Sequence, residues 1–428
     1  MALNTTTTVS VGEQTFGQFH FLHLKQSMKG HHAFELGIRY DWLTQLGPDP
    51  IAAGKSLLGK ETSICIRPVE LTGNLKPLLF NGIVTTIKAG KENNGNTGNC
   101  ILSGNSPTIQ MSGSPHIQSY EQLALSSIVN TVMKNCYPFS LTPQVNPLLT
   151  LPLKYIVQYK ESGFDFLNRL SQRYGEHFFY NGRQVIFGQY IPQKTTLVHQ
   201  EDLVDFQLEC KLLPAKLMLH ISEYRQQEII EEDTLQQACS VVNSYTRQAQ
   251  SLSGKFYHHA ARYKVPYAFS SHARAELSAL ASRYRTGRMS EMILLKGCST
   301  NTGLQIGNIV NIREKQHSGE DHGEFMLTFL EHHCNGNGDY YYTFEGIPAD
   351  ATTPVMNLEN IPRCEAQSAI VTDNHDPKGL GRIRVRFNWQ KGRTPWIRLH
   401  QPHGGSGKGF YFIPEINEEV WVDFEGGN

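Results

Sequence analysis

Arg382-Ile383-Arg384-Val385-Arg386-Phe387 alternates a cation with an apolar residue at every step. Successive side chains of a strand point to opposite faces, so Ile383, Val385 and Phe387 share one face and the three arginines share the other. Trp396 to Leu399 and Val420 to Phe424 alternate in the same way, and Ala369-Ile370-Val371-Thr372 opens a further strand. Turn formers separate them at Asp376-Pro377-Lys378-Gly379, Lys391-Gly392 and His403-Gly404-Gly405. Several short strands within roughly 60 residues predict a small closed barrel of the OB type over 363–428.

Working back from there, residues 15–110 read as a meander of short strands. Phe34-Glu35-Leu36-Gly37-Ile38-Arg39-Tyr40 alternates strictly, Ser63–Val69 and Ile83–Ile87 do likewise, and a polar loop of turn formers spans Ala89–Asn99. Ser119 is read as the cap of a helix running to Lys134. Pro138, Pro143, Pro147 and Pro152 make the next stretch extended. A second helix follows Glu161, with Ser162 and Asp165 as caps and Gly175 as its stop. Asn181-Gly182 sits at the tip of a predicted hairpin over 177–188. Strand-like stretches return at 203–219, 303–312 and 324–330, with helices predicted over 231–251 and 270–285. Two strand-rich stretches separated by mixed material point to a duplicated barrel, although no clean repeat is visible.

Composition narrows the function. The chain has 428 residues, 39% hydrophobic and 18% charged, and a formal net charge of zero. That rules out a disordered chain and a bulk polyanion binder. No run of 18 apolar residues exists for a membrane helix. The start, Met1-Ala2-Leu3-Asn4 and four threonines, lacks the basic and apolar regions of a secretory signal, so cytoplasmic synthesis is expected, with any export by a route that reads no such signal. Eight scattered cysteines without a C-x-x-C pair read as reduced, mostly buried thiols.

Three C-terminal stretches carry a resemblance. Gly381–Trp389, Trp396–Pro402 and Phe412–Gly427 resemble the OB-domain signature of the VgrG spike proteins of type VI secretion systems, relatives of the hub and puncturing proteins of contractile phage tails. Tyr159–Leu167 with Arg169-Leu170 is similar to that family's hub helix, and Tyr342–Pro348 to the segment that closes its hub barrel. The matches run in order from about residue 80 to 428. The chain departs from the pattern at Asn428, where the family often has Asp, and at Asn374, His375 and Asp376, where the basal loop usually carries more acids.

The resemblance implies a mainly β fold with α+β segments: two hub-type antiparallel β-barrels plus a C-terminal OB-fold barrel. It implies hub barrel 1 over 1–115, an α+β connecting domain over 116–195, hub barrel 2 with a helical insert over 196–362, and the OB domain over 363–428, ending before any β-helical needle. It further implies a homotrimer capping a hexameric inner-tube protein, since two barrels in each of three subunits present six similar faces to a six-fold partner. Baseplate components, and an effector or tip protein at the spike, are the other implied partners. Such a protein would be assembled into the secretion apparatus and exported by it, helping to puncture the target membrane and deliver effectors.

No catalytic residue, cofactor site or metal site is expected. Gly404–Gly409 lacks the first glycine and the hydroxyl of a phosphate loop. His31-His32, His258-His259 and His332-His333 are neighbours on strands or loops, and strand neighbours face apart, so they do not share a metal. There is no G-x-S-x-G elbow, and phage relatives carry their cell-wall hydrolase in a separate domain after the OB fold. The rival reading is an OB-fold single-strand nucleic-acid binder using Lys378–Lys408, a stretch with eight basic residues and no acidic one. Its aromatic, Phe387, falls on the apolar face, which leaves the basic face without a stacking platform, so no nucleic acid is expected. Glu415, Glu418, Glu419, Asp423 and Glu425 follow at once. Head-to-tail pairing between subunits is the expected use of these charges, with Arg382, Arg384, Arg386, Trp396 and Arg398 facing Glu418, Glu419 and Asp423 across the interface.

Overall fold

Two long strands, Asp321–Asn335 and Asp339–Pro348, organise the computed structural model of the chain. The structure describes residues 3–39, 42, 54–69, 75–91, 98–136, 143–223, 228–241, 243–265, 273–315, 320–405 and 408–425. The two strands pair with each other, and each then changes its outer partner along its length. Phe329–Asn335 pairs with Phe21–Ser27, while Asp321–Met326 pairs with Ile309–Arg313. Asp339–Tyr340 pairs with Leu3–Asn4, while Tyr342–Gly346 pairs with Ile293–Ser299.

Two rings result, and they share these strands. The first runs from Phe21–Ser27 through Ala33–Arg39, Gly98–Asn105, Leu78–Lys91, Glu61–Pro68 and Leu3–Val11, and closes on the two long strands. All its ladders are antiparallel. The second holds Lys194–Val198, Ile309–Arg313, the other ends of the long strands, Ile293–Ser299 and Leu203–Cys210. Lys194–Val198 lies parallel to Ile309–Arg313, and a bridge between His199 and Leu203 joins the ends of the ring. The described strands from Leu3–Val11 to Gly98–Asn105 therefore begin a ring that residues 329–342 complete. One apolar core runs through both rings, from Val9, Leu24 and Phe80 to Leu295, Leu327 and Phe344.

The segment between the rings obeys local signals. Ser162 Oγ accepts the Asp165 N–H at 3.1 Å and caps helix Gly163–Tyr174, and Gly175 ends it at φ +70°, a left-handed conformation that glycine takes without penalty. Phe178–Tyr180 and Val185–Gly188 form the expected hairpin. The predicted helix start at Ser119 is wrong. His116–Leu123 is a strand paired with Leu153–Glu161, and Leu125–Cys136 is the helix, burying Leu125, Ile128, Val129, Val132 and Met133 on one face. Pairing with a distant strand outweighed a cap signal that lacked its acidic partner.

The helix expected over 231–251 also divides. Glu228–Asp233 is a strand against Leu217–Glu223, and helix Ser244–Phe256 follows, capped by Asn243. That strand is rich in glutamates but turns Ile230 onto helix Ala273–Ser290, whose residues Leu277, Leu280 and Ala281 complete a second, smaller core. Residues 270–272 and 92–97, parts of a predicted helix and a predicted loop, lie outside the described residues. The eight cysteines are free, but only Cys100 and Cys334 are buried and Cys210 is exposed, because most of the thiols sit at strand ends or on half-open faces. Among the described residues no helix is long and apolar enough to cross a membrane.

Candidate assembly surface of the C-terminal barrel

Gln367–Asp373 is the central strand of the last domain, with Arg384–Phe387 on one side and Glu419–Val422 on the other. Its core is small: Ala369, Val371, Ile383, Val385 and Phe387 are buried, and Trp389, Ile397, Leu399, Val420, Val422 and Phe424 pack around them. The alternation read from the sequence is therefore present on the apolar side.

The cationic side is less uniform than expected. Arg382 is turned inward, not out to a neighbour. Its Nε and Nη2 donate to both carboxylate oxygens of Asp376 at 2.8 and 2.7 Å, and both side chains are almost fully buried. Asp376 also accepts the backbone N–H groups of Lys378 and Leu380. The Arg382 guanidinium and these donors hold its carboxyl well below the usual carboxylate range. The pair staples the 374–382 loop, a use that strand periodicity does not reveal because Asp376 lies in a turn.

Arg384 lies 5.3 Å over the Trp396 ring and reaches Glu121 at 3.9 Å. Arg398 pairs with Glu425 at 3.1 Å, and Glu425 also binds Lys264. Lys160 pairs with Glu365 at 2.8 Å, and Gln390 donates to the Tyr155 hydroxyl at 3.1 Å. The contacts of Arg384, Glu365 and Gln390 seat the barrel on strand Leu153–Glu161 and its partner His116–Leu123, and Lys264 ties it to the sheet that holds Leu217–Glu223. Of the predicted cationic face, Arg386 is exposed. On the acidic side Glu418 accepts the Glu415 N–H at 2.7 Å, and Glu419 and Asp423 are exposed. Ser406 and Gly407, in the middle of the glycine-rich stretch, lie outside the described residues.

The sequence reading missed an aromatic surface. Phe410 and Tyr411 are each 59% exposed, Phe412 is 70% exposed and Trp421 is 72% exposed, with Ile413 and Ile416 beside them. Phe410 and Phe412 stack at 6.2 Å. On Glu419–Val422 the inward residues are Val420 and Val422, so Trp421 faces out between Glu419 and Asp423. Four consecutive apolar residues between Gly409 and Pro414 were the available signal, because a run without alternation has no buried face to fill in so small a barrel. Rimmed apolar patches of this kind mark interaction sites. Those aromatics stand beside Glu415, Glu418, Glu419 and Asp423, which would repel a phosphate backbone.

Comparison with known proteins agrees with this architecture. The phage tail baseplate hub (GPD) family model matches residues 31–338, and the type VI secretion system/phage-baseplate injector OB domain matches residues 367–428. The type VI secretion system spike protein VgrG1a of Pseudomonas aeruginosa is 22% identical over 95% of the chain, which spans 66% of that relative's length and about 40% of two further spike proteins from the same organism. The E. coli c3393 protein, described as a type VI secretion component structurally similar to the T4 tail proteins gp27 and gp5, shares the fold at a TM-score of 0.58 and 16% identity, over 98% of this chain and 97% of that one. A Francisella PdpA-VgrG complex matches at a TM-score of 0.60 and 9% identity, over 98% of this chain and 69% of that one.

Proposed function

The chain belongs to the phage tail baseplate hub family, on the side of the VgrG spike proteins of type VI secretion, and from that premise we propose that it works as a homotrimer at the head of a contractile injection machine. The two rings of each subunit together offer a six-fold-like face to a hexameric inner tube, and the C-terminal barrels gather on the axis. Force is transmitted through the assembly to a target membrane, with effector or tip proteins carried at the spike. The work is mechanical and needs no bond-making step.

The observation that carries this reading is the aromatic surface of the last barrel. Phe410, Tyr411, Phe412 and Trp421 are exposed on a domain whose own core is closed without them. Three copies around an axis would bury them, with exposed Arg386 and Lys378 of one subunit near Glu419 and Asp423 of the next setting the register. Charge pairs of this sort add about 0–1 kcal/mol each, so the aromatics would supply most of the affinity.

The test is the mass in solution. Light scattering of the full chain should give a trimer, and the Phe412→Ser, Trp421→Ser double variant should shift it to monomer with the barrel still folded. A wild-type monomer at high concentration would count against the trimer. A variant that stays trimeric would count against this surface. Binding of single-stranded DNA at physiological salt would instead support the nucleic-acid reading.

A further inference from the structure

The first ring brings together two imidazoles from distant parts of the chain. His23 lies on Phe21–Ser27 and His333 on Asp321–Asn335, directly opposite each other in the antiparallel register. Their ring centroids are 4.8 Å apart. His23 is exposed and His333 is half-buried, both on the outer face of the ring, because Leu22, Leu24, His332 and Cys334 fill the inner one. The rings are held in place by other rings: Phe21 lies 4.9 Å from His23, and Tyr341 stacks on His333 at 4.9 Å and 16°. Among the described residues neither imidazole has a hydrogen-bond partner, so ring nitrogens on both are free. Glu35 lies across the ladder on the far side of His23, and Glu331 is two residues before His333 on the same face. Both add negative potential.

Adjacent histidines such as His332 and His333 face apart, and His332 is indeed inside the ring. The pair that can act together is made by the fold. We propose that His23 and His333 form a two-imidazole site for a borderline divalent transition-metal ion of the Ni²⁺, Cu²⁺ or Zn²⁺ kind. Imidazole is the ligand these ions prefer. No three His, Cys, Asp or Glu side chains converge for a metal among the described residues, so water completes the coordination. The ion would clip strand Phe21–Ser27 to a strand that both rings share, and stabilise the first ring by mass action.

The experiment titrates the full chain with Ni²⁺ by calorimetry at about pH 7.5 and records Cu²⁺ electron paramagnetic resonance spectra. His23→Gln and His333→Gln are compared with wild type and with His258→Gln, an exposed control. Each of the first two should weaken Ni²⁺ binding about tenfold or more and reduce the equatorial imidazole nitrogens on Cu²⁺ from a pair to a single one. The control should behave as wild type. Both side chains leave the core untouched, so far-UV circular dichroism should be unchanged. The proposal fails if wild type shows no saturable Ni²⁺ binding, or if both variants keep the wild-type affinity and nitrogen count.

Discussion

The rings and the C-terminal barrel are both β structures around cores of their own, yet different forces hold them together. The rings enclose a large core that buries polar groups as well as apolar ones. Inside the first ring the Tyr340 hydroxyl lies 2.9 Å from His332 Nδ1, His332 Nε2 lies 3.0 Å from Gln26 Oε1, and Gln26 Nε2 lies 3.3 Å from His32 Nδ1. Burial keeps both imidazoles neutral, pushing each down to about 3. The last barrel has five buried core residues and closes its main loop with one bidentate ion pair. A large core can hold a row of hydrogen-bonded neutral groups, here ending at a His32 Nε2 with no partner among the described residues, whereas a thin one leans on a charged staple and leaves aromatics outside.

That contrast can be broken at the shared strands. Phe344 is buried on Asp339–Pro348, which belongs to both rings. Phe344→Ala should cost about 3–5 kcal/mol and lower the protection of amides in both rings together. Hydrogen exchange in which only the second ring loosens would show that the rings are separable units.

The matching change in the last barrel is Arg382→Ala, which leaves Asp376 buried and unpaired. A cost of about 3 kcal/mol is expected, confined to that domain. Three of the four tryptophans, Trp389, Trp396 and Trp421, lie there, so tryptophan fluorescence should report an early transition while the rings persist. One unchanged, concerted melt would remove the distinction between the regions.

Acid should separate them in the opposite order. His32 and His332 have folded values below the unfolded 6.5, so their contribution is complete above pH 6.5 and is lost as the pH falls from there toward 3. At pH 5 that is roughly 2 kcal/mol per imidazole. Asp376 is depressed below its ordinary 3.8, so its contribution is complete above that value and is lost only at lower pH. Melts at pH 7 and pH 5 should therefore show the rings destabilised and the last barrel unchanged. A ring transition independent of pH over this interval would mean that the buried row tolerates protonation.

The smallest effect belongs to the seat between the regions. Lys160 and Glu365 form an exposed pair, and Lys160→Ala should leave the midpoint of denaturant titrations at its wild-type value. A lower midpoint would make this contact a true domain interface.

Local chemistry was legible in the sequence wherever a few neighbouring residues settle the matter. Ser162 and Gly175 bracket a helix because a hydroxyl and a missing Cβ satisfy its ends. Asn181-Gly182 turns a hairpin, and Ile383, Val385 and Phe387 fill a barrel because side chains alternate along any strand. Pairing between distant segments was not legible. His116–Leu123 became a strand because Leu153–Glu161 offered its backbone, Arg382 turned inward because a loop folded Asp376 onto it, and His23 met His333 because Phe21–Ser27 pairs with the end of Asp321–Asn335 in the first ring. Periodicity is a property of one strand, but a ladder's register, a buried ion pair and a pair of facing imidazoles exist only once two strands far apart in sequence lie side by side.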